Sequence, residues 1–329
     1  MKTLTSLLLC VVTLFATSEL CAQNIRPSSR ARVIIDNDFS GDPDGLVALA
    51  HQLLSPSIET TAIIGSYVNR GWSKNSGNPA RDAVEAVDEL LAVMGRSGEY
   101  KVYQGSATTM TDPNTPIESE GARAIIAEAM RDDSRPLYVL CGASLNTIAS
   151  AWLMVPAIAD RLTVVWIGGQ EYAEIPNPAP ADISAVEYNL NLSIAAAQCV
   201  FNNSNLRLWQ VPRSAYRQTI FTRAEMQTRL AGTPLGDYLY GKLRVMMDML
   251  RSETYVLGDS PLVLLTALQT LFEPDSASSL FCNLPAPYIT DEGLYDREKG
   301  GRTIRVYATI DNRTMFEDMC AKFLLHSKE

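Results

Sequence analysis

Short apolar segments alternate with amphipathic stretches along almost the whole chain, and this alternation limits the fold more than any other feature. Strands are expected at 32–36, 60–65, 101–104, 136–141, 162–167 and 206–211. Helices are expected at 44–54, 79–94, 120–131, 145–154, 193–202, 223–230, 235–251 and 261–272, and a closing strand at 302–310 with a helix after it. Strand–helix alternation over this length implies an α/β fold: an open, mostly parallel sheet with helices on both faces. In the first helix Leu46, Leu49, Ala50 and Leu53 make one apolar stripe. His51 falls off that stripe and is expected at the surface. Ligands of such sheets bind beyond the carboxyl ends of the strands. Asp36 and Asp38, Cys141-Gly142, and Gly168-Gly169 stand at three of those ends.

Four aspartates crowd the first of them, in Val33-Ile34-Ile35-Asp36-Asn37-Asp38-Phe39-Ser40-Gly41-Asp42-Pro43-Asp44-Gly45. Like charges a few ångströms apart repel strongly, so this many carboxylates need a positive partner. Hard oxygen donors point to Ca²⁺ or Mg²⁺. Local grammar explains part of the pattern. Asp42 before Pro43 reads as a helix N-cap with proline in the first turn, and Asp259-Ser260-Pro261 has the same form. Capping does not account for Asp36, Asp38 and Asp44 as well.

Other features narrow the function by exclusion. Residues 1–22 read as an export signal: Lys2 gives the positive start, Leu7 to Ala16 the apolar run, and Ala22 the last residue before cleavage. That run is too short for a transmembrane span, which needs roughly 20 apolar residues. Residues 23–329 then suit a single domain, exported to the periplasm or secreted. Cys141, Cys199, Cys282 and Cys320 are widely spaced without a CxxC pair, and buried free thiols are the expectation. The net charge of −9 and the lack of a basic cluster exclude a nucleic acid polymer as partner. With only His51 and His326 available, a histidine-rich zinc site and a Ser-His-Asp triad are excluded too.

Two families place Asp-x-Asp after the first strand of such a sheet. The haloacid-dehalogenase-like phosphatases, with Asp36 as nucleophile and Mg²⁺ as cofactor, fit poorly, because no acidic pair follows a late strand. The sequence resembles the inosine/uridine-preferring nucleoside hydrolases instead. Asp36-Asn37-Asp38 and Asp42-Pro43-Asp44 are similar to that family's opening signature, with one residue inserted between the last two acids. Ile63-Ile64-Gly65-Ser66 looks like its second strand, with Ser66 where Asn is usual. Gly142-Ala143-Ser144-Leu145-Asn146-Thr147-Ile148-Ala149 resembles its Thr-Gly-x-Leu-Thr-Asn segment. Ile167-Gly168-Gly169, Glu187-Tyr188-Asn189 and Gly258-Asp259 follow in the family's order.

That resemblance implies a calcium-dependent enzyme that hydrolyses the N-glycosidic bond of ribonucleosides, in purine or pyrimidine nucleoside catabolism. It implies Ca²⁺ held by Asp38, Asp44, Asp259 and the Gly142 carbonyl, with Asp38 also the catalytic base. It gives Asp42, Ser66, Glu187 and Asn189 to the substrate and Asp36 to a supporting role, and it implies a homo-oligomer, either a dimer or a tetramer. Gly258 stands where some relatives carry a histidine that protonates the leaving base. Stacking on Trp72 or Tyr216, or a different leaving group, is the remaining way to release it. A calcium- and ribose-binding protein without efficient turnover is the alternative.

Overall fold

The computed structural model describes residues 29–69, 77–175, 185–268 and 278–328. The expected export signal, 1–22, and Trp72 lie outside the described residues. In chain order the elements are β1 (Ala31–Asn37), α1 (Asp44–Leu53), β2 (Ile58–Gly65), α2 (Pro79–Val93), β3 (Val102–Gln104), α3 (Glu120–Ala129), β4 (Leu137–Cys141), α4 (Asn146–Met154) and β5 (Leu162–Ile167). Then come α5 (Tyr188–Leu192), α6 (Ile194–Gln198), β6 (Arg207–Val211), α7 (Arg213–Tyr216), β7 (Ile220–Thr222), α8 (Arg223–Arg229), α9 (Pro234–Leu250), β8 (Thr254–Val256) and α10 (Pro261–Ala267). The chain closes with β9 (Leu280–Pro285), β10 (Tyr288–Ile289), β11 (Tyr295–Asp296), β12 (Thr303–Thr309) and α11 (Asn312–His326).

Eight strands form one sheet in the order β3-β2-β1-β4-β5-β6-β12-β9. Every pairing is parallel except that of β9 with β12. The open, mostly parallel α/β fold expected from the alternation is therefore present. β1 is buried along all its length, as a Val/Ile-rich strand with helices on both faces must be. Val33 and Ile35 face one apolar cluster, with Leu49, Leu90, Leu243, Leu264 and Met319. Ile34 faces the other, with Ile125, Ile148 and Trp166. Side-chain alternation thus joins both cores through a single strand.

The expected strands and helices lie within a few residues of the observed ones, with instructive differences. The stretch 193–202 is not one helix. Ser193 leaves helical geometry and its side chain accepts a hydrogen bond from the Ala196 amide, so α5 and α6 are separate, and a wide turn at Cys199–Asn203 follows. The two antiparallel pairs β7–β8 and β10–β11 are strands of two or three residues, too short to carry a period. The four cysteines are free, Cys282 exposed and the others buried. Among the described residues no helix is long and apolar enough to cross a membrane.

His51 is a correction: it is fully buried, not superficial. An apolar stripe implies a helix that covers the sheet with one face and meets water with the other. All ten α1 residues are buried, because α9, α10 and α11 pack against the face turned away from the sheet. The imidazole is accommodated by one hydrogen bond, Nε2 to Asp318 Oδ2 at 2.7 Å, and Lys322 also grips that carboxylate and the Ser55 hydroxyl. Removing the carboxylate would leave a buried imidazole and a half-buried ammonium together. Asp318→Ala is therefore expected to destabilise the protein by about 2 kcal/mol in urea unfolding, and an unshifted midpoint would refute this role.

Candidate active site

The site grows from the carboxyl end of β1. Asp36 is fully buried. Its Oδ1 accepts from the Ser66 hydroxyl at the end of β2, and Ser66 in turn lies 3.1 Å from the Thr147 hydroxyl in α4. Its Oδ2 has no partner among the described residues. Burial pushes the Asp36 carboxyl up to about 7 against the hydrogen bonds from Ser66 and Thr147, which lower it. Ser66 is itself buried and gives its hydroxyl to this contact rather than to the cavity.

Asn37, the middle residue of Asp-x-Asp, ties distant parts together. Its Oδ1 accepts from the Asp38 amide at 2.8 Å, and its Nδ2 donates to Asp259 Oδ2 at 2.7 Å. The Asp259 amide donates to Asp44 Oδ2 at 3.1 Å, and the Asp44 amide to Asp42 Oδ1 at 3.2 Å. Tyr255 in β8 donates its hydroxyl to the same Asp42 oxygen at 2.8 Å. So β1, the N-terminus of α1 and the N-terminus of α10 converge through one amide side chain. The N-cap grammar applies only in part: Asp42 contacts the first helical amide, whereas Ser260 precedes α10 without a side-chain cap.

A cavity of about 260 Å³ opens here, lined by Asp38, Asp42, Asp44 and Asp259 together with Gly142, Glu187, Asn189 and Tyr216. Gly142 ends β4 tightly against Asn37, and a Cβ there would collide with the Asn37 amide. Asn189 donates from Nδ2 to the carbonyls of Gly142, at 3.1 Å, and Ile167, at 2.8 Å. Glu187 is held more fully still. Its carboxylate accepts from the amides of Gly169 at 2.7 Å, Leu190 at 2.9 Å and Asn189 at 3.1 Å, and from the Tyr216 hydroxyl at 2.9 Å. Burial raises the Glu187 carboxyl, and those four donors oppose the rise.

The electrostatics of the acid group are dominated by desolvation and mutual repulsion. Asp38 is raised well above the usual carboxylate range by burial, then by Asp259 and Asp42. Asp44 is raised likewise by burial, then by Asp259 and Asp42. Asp42 beside it is raised by burial too, against hydrogen bonds from the Tyr255 hydroxyl and the Asp44 amide. Asp259 is pushed up to about 7 by burial, against the Asn37 hydrogen bond. No lysine or arginine stands among the main influences on Asp38, Asp44 or Asp259.

These are all-oxygen donors, and with Gly142 lining the same cavity they suit a hard divalent cation. Among the described residues no three His, Cys, Asp or Glu side chains are closed into a ready-made cage. The acids ring the cavity, and one of each pair of oxygens on Asp44 and Asp259 is already engaged. The donor chemistry therefore fits a hard metal ion rather than a soft one.

Seven of the expected site residues line the cavity; Asp36 and Ser66 lie behind it. Three contributors escaped the sequence reading. Tyr188 and Arg217 line the cavity, and Tyr255 holds Asp42. Tyr188 stands between Glu187 and Asn189, a position that could have signalled it. Nothing in the local sequence marks Tyr255 or Arg217.

An acid-lined crevice beyond the strand ends is where a parallel α/β sheet binds its ligand. A family model, inosine-uridine preferring nucleoside hydrolase, matches residues 33–315, and the chain belongs to that family of enzymes acting on N-ribosyl bonds. A plant nucleoside hydrolase superposes with a TM-score of 0.67 at 16% identity, covering 89% of this chain and 99% of that one. A purine-preferring ribonucleoside hydrolase from Gardnerella vaginalis gives 0.61 at 18% identity, with 90% and 99% covered. An inosine-uridine preferring nucleoside hydrolase from Bacillus anthracis gives 0.64 at 14% identity, with 89% and 99% covered. No curated protein sequence matches the chain.

Raised carboxyls have a consequence for stability. Asp36 and Asp259 stay protonated to about pH 7 in the folded chain, whereas unfolded aspartates lose their protons near pH 4. Their contribution is full below pH 4 and is lost as pH rises through 7. Chelator-treated protein is thus expected to unfold at lower urea concentration at pH 8 than at pH 5. Added calcium should recover more stability at pH 8 than at pH 5. Equal calcium gains at both values would contradict a buried acid cluster of this kind.

Proposed function

We propose that the enzyme hydrolyses the N-glycosidic bond of ribonucleosides, releasing ribose and a free base, with Ca²⁺ as cofactor. The observation that carries this reading is the group Asp38, Asp44 and Asp259, buried around one cavity with no cationic side chain among the described residues chief among the influences on it. Asp38, Asp44, Asp259 and the Gly142 carbonyl would hold the cation. When bound it supplies a site for water and sugar hydroxyls and lowers the pKa of that water.

The remaining roles belong to the chain. Asp38 takes the proton of the attacking water as general base. Asp42, oriented by Tyr255, accepts from the ribose hydroxyls. Asn189 and Glu187 fix the rest of the sugar. Glu187 accepts four protein hydrogen bonds, so it is held rigidly, which supports a pre-organised ribose wall. Asp36 and Ser66 support Asp38 from behind. The burial of Asp36 away from the cavity weighs against a phosphatase with Asp36 as nucleophile. Export and assembly into a dimer or tetramer belong to the same proposal.

Ribose release from purine and pyrimidine nucleosides, with calcium and with chelator, tests this reading. Calcium-dependent release is expected, and Asp38→Asn should lower kcat by about 10³-fold, the scale of general-base loss. Calcium binding without release from any nucleoside would favour the sugar-binding alternative instead.

A further inference from the structure

Hydrogen-bonding capacity is spread unevenly around the cavity, and at Glu187 and Asn189 the protein consumes nearly all of it. A carboxylate offers about four lone-pair sites, two on each oxygen. Oε1 of Glu187 accepts from the Asn189 amide at 3.1 Å and from the Tyr216 hydroxyl at 2.9 Å. Oε2 accepts from the Gly169 amide at 2.7 Å and from the Leu190 amide at 2.9 Å. Every site is filled, and the side chain is buried. Asn189 spends both Nδ2 hydrogens on the carbonyls of Gly142, at 3.1 Å, and Ile167, at 2.8 Å. Two carbonyl neighbours dictate that the amide nitrogen faces them. Its Oδ1 is then the side-chain acceptor of this pair that makes no hydrogen bond among the described residues.

The donors to Glu187 are not alike. Those from Gly169, Asn189 and Leu190 are backbone amides, fixed by the turn beyond β5 and by the start of α5, which Glu187 itself caps. The fourth is a side chain. Tyr216, in α7, lines the same cavity as Glu187 and gives its single hydroxyl hydrogen to Oε1. A protein hydroxyl therefore holds the bond that a hydroxyl of a bound sugar would make to this carboxylate. Ser66 adds nothing in compensation, because its hydroxyl is committed to Asp36 behind the cavity.

We propose that Tyr216, by occupying Glu187, makes the enzyme indifferent to the 5′-hydroxyl, so that 5′-deoxyribonucleosides are substrates alongside ribonucleosides. This rests on the reading that the enzyme hydrolyses nucleosides. A ribonucleoside carries three sugar hydroxyls. The vicinal 2′ and 3′ pair is the one that can chelate a hard cation held by the acids. The 5′-hydroxyl is the one left for Glu187 and Asn189. A site whose buried acceptors wait for a substrate hydroxyl rejects the analogue that lacks it by about 10⁴-fold or more, because those acceptors are then unpaired. Here no acceptor of Glu187 is unpaired when the 5′-oxygen is missing. The loss is confined to one neutral hydrogen bond at Asn189 Oδ1, about tenfold at most. Glu187 and Asn189 thus bound the sugar by their rigid shape, and Tyr216 determines specificity by withholding a contact.

Steady-state kinetics on inosine and 5′-deoxyinosine, in calcium, test this. Removing the 5′-oxygen should cost wild type about tenfold or less in kcat/KM. Tyr216→Phe keeps the ring and frees one lone pair of Glu187. The ratio of kcat/KM on inosine to that on 5′-deoxyinosine should then rise by about tenfold or more, the scale of a hydrogen bond to a charged group. A general loss of activity in the variant leaves that ratio unmoved. A wild-type loss above about tenfold, or a ratio that Tyr216→Phe does not raise, overturns the proposal. Should Tyr216→Phe fail to fold, the wild-type ratio decides alone. If wild type cleaves neither compound, the nucleosidase reading fails, and calorimetric titration with the same two nucleosides in calcium decides the inference by itself. Affinities within about tenfold of each other uphold it; a larger difference, or no binding of either, overturns it.

Discussion

Everything about this site follows from one electrostatic constraint: the carboxyls of Asp36, Asp38, Asp44 and Asp259 are buried together, and among the described residues no cationic side chain is buried with them. At an effective dielectric of about 20, two unit charges 4 Å apart repel by about 4 kcal/mol, so several charged acids at such spacing would strain the fold severely. The chain meets this with protons and neutral donors. Burial and the neighbouring acids raise the Asp44 carboxyl, burial raises Asp36 to about 7, and the Asn37 amide and the Asp259 backbone amide are committed to carboxylate oxygens. Basic residues are placed at the other end of the strand. Arg32, near the start of β1, is buried against Glu128 and Asp133. Charge is thus segregated along β1, with a satisfied ion-pair network at the amino end and an under-compensated acid cluster at the carboxyl end. That is the pattern expected of a scaffold end and a working end.

Under-compensation is tolerable only because the surroundings are stiff. The Gly168-Gly169 turn beyond β5 is fixed from three sides: Gln210 donates to the Gly168 carbonyl at 2.8 Å, Glu187 accepts from the Gly169 amide at 2.7 Å, and the Gly169 carbonyl accepts from the Arg213 amide at 3.1 Å. Gly169 has φ of 90°, and an added Cβ would strike Gln210 and Tyr295, so glycine is required there on both counts. Tyr295, from the small β10–β11 pair, closes the same turn by accepting from the Gln170 amide at 3.0 Å. Two minor strands with no share in the main sheet therefore help set the wall on which Glu187 rests.

How much of this could be read from the sequence depended on whether a signal was local. The buried strands were legible because parallel strands read as continuous apolar runs, and Leu162–Ile167 falls where it was expected. The acid cluster was legible because like charges at close sequence spacing demand a reason. His51 was misplaced because periodicity reports one covered face, and the second cover of α1 comes from α9, α10 and α11, which lie far along the chain. Ser66 and Glu187 show a subtler limit. A residue's place in a signature says where it stands, not how many of its bonding positions the protein has already used. Ser66 is committed to Asp36, and Glu187 accepts from four protein donors. Arg217 and Tyr255 had no signal, because an isolated arginine or tyrosine gains meaning only from the cavity it faces.

The distribution of charge across the cavity also bears on catalysis. Breaking the bond between a sugar and a base develops positive charge on the sugar carbon and negative charge on the departing base. A site complementary to that transition state must be negative at one end and positive at the other, with the separation built in before substrate arrives. This cavity is lined by Asp38, Asp42, Asp44 and Asp259, with Tyr216, Arg217 and Gly258 among its other lining residues. The Tyr216 hydroxyl is directed to Glu187, which leaves its ring as an uncharged face. The same acids that make the fold costly to assemble thus supply the negative half of the polarity the reaction needs.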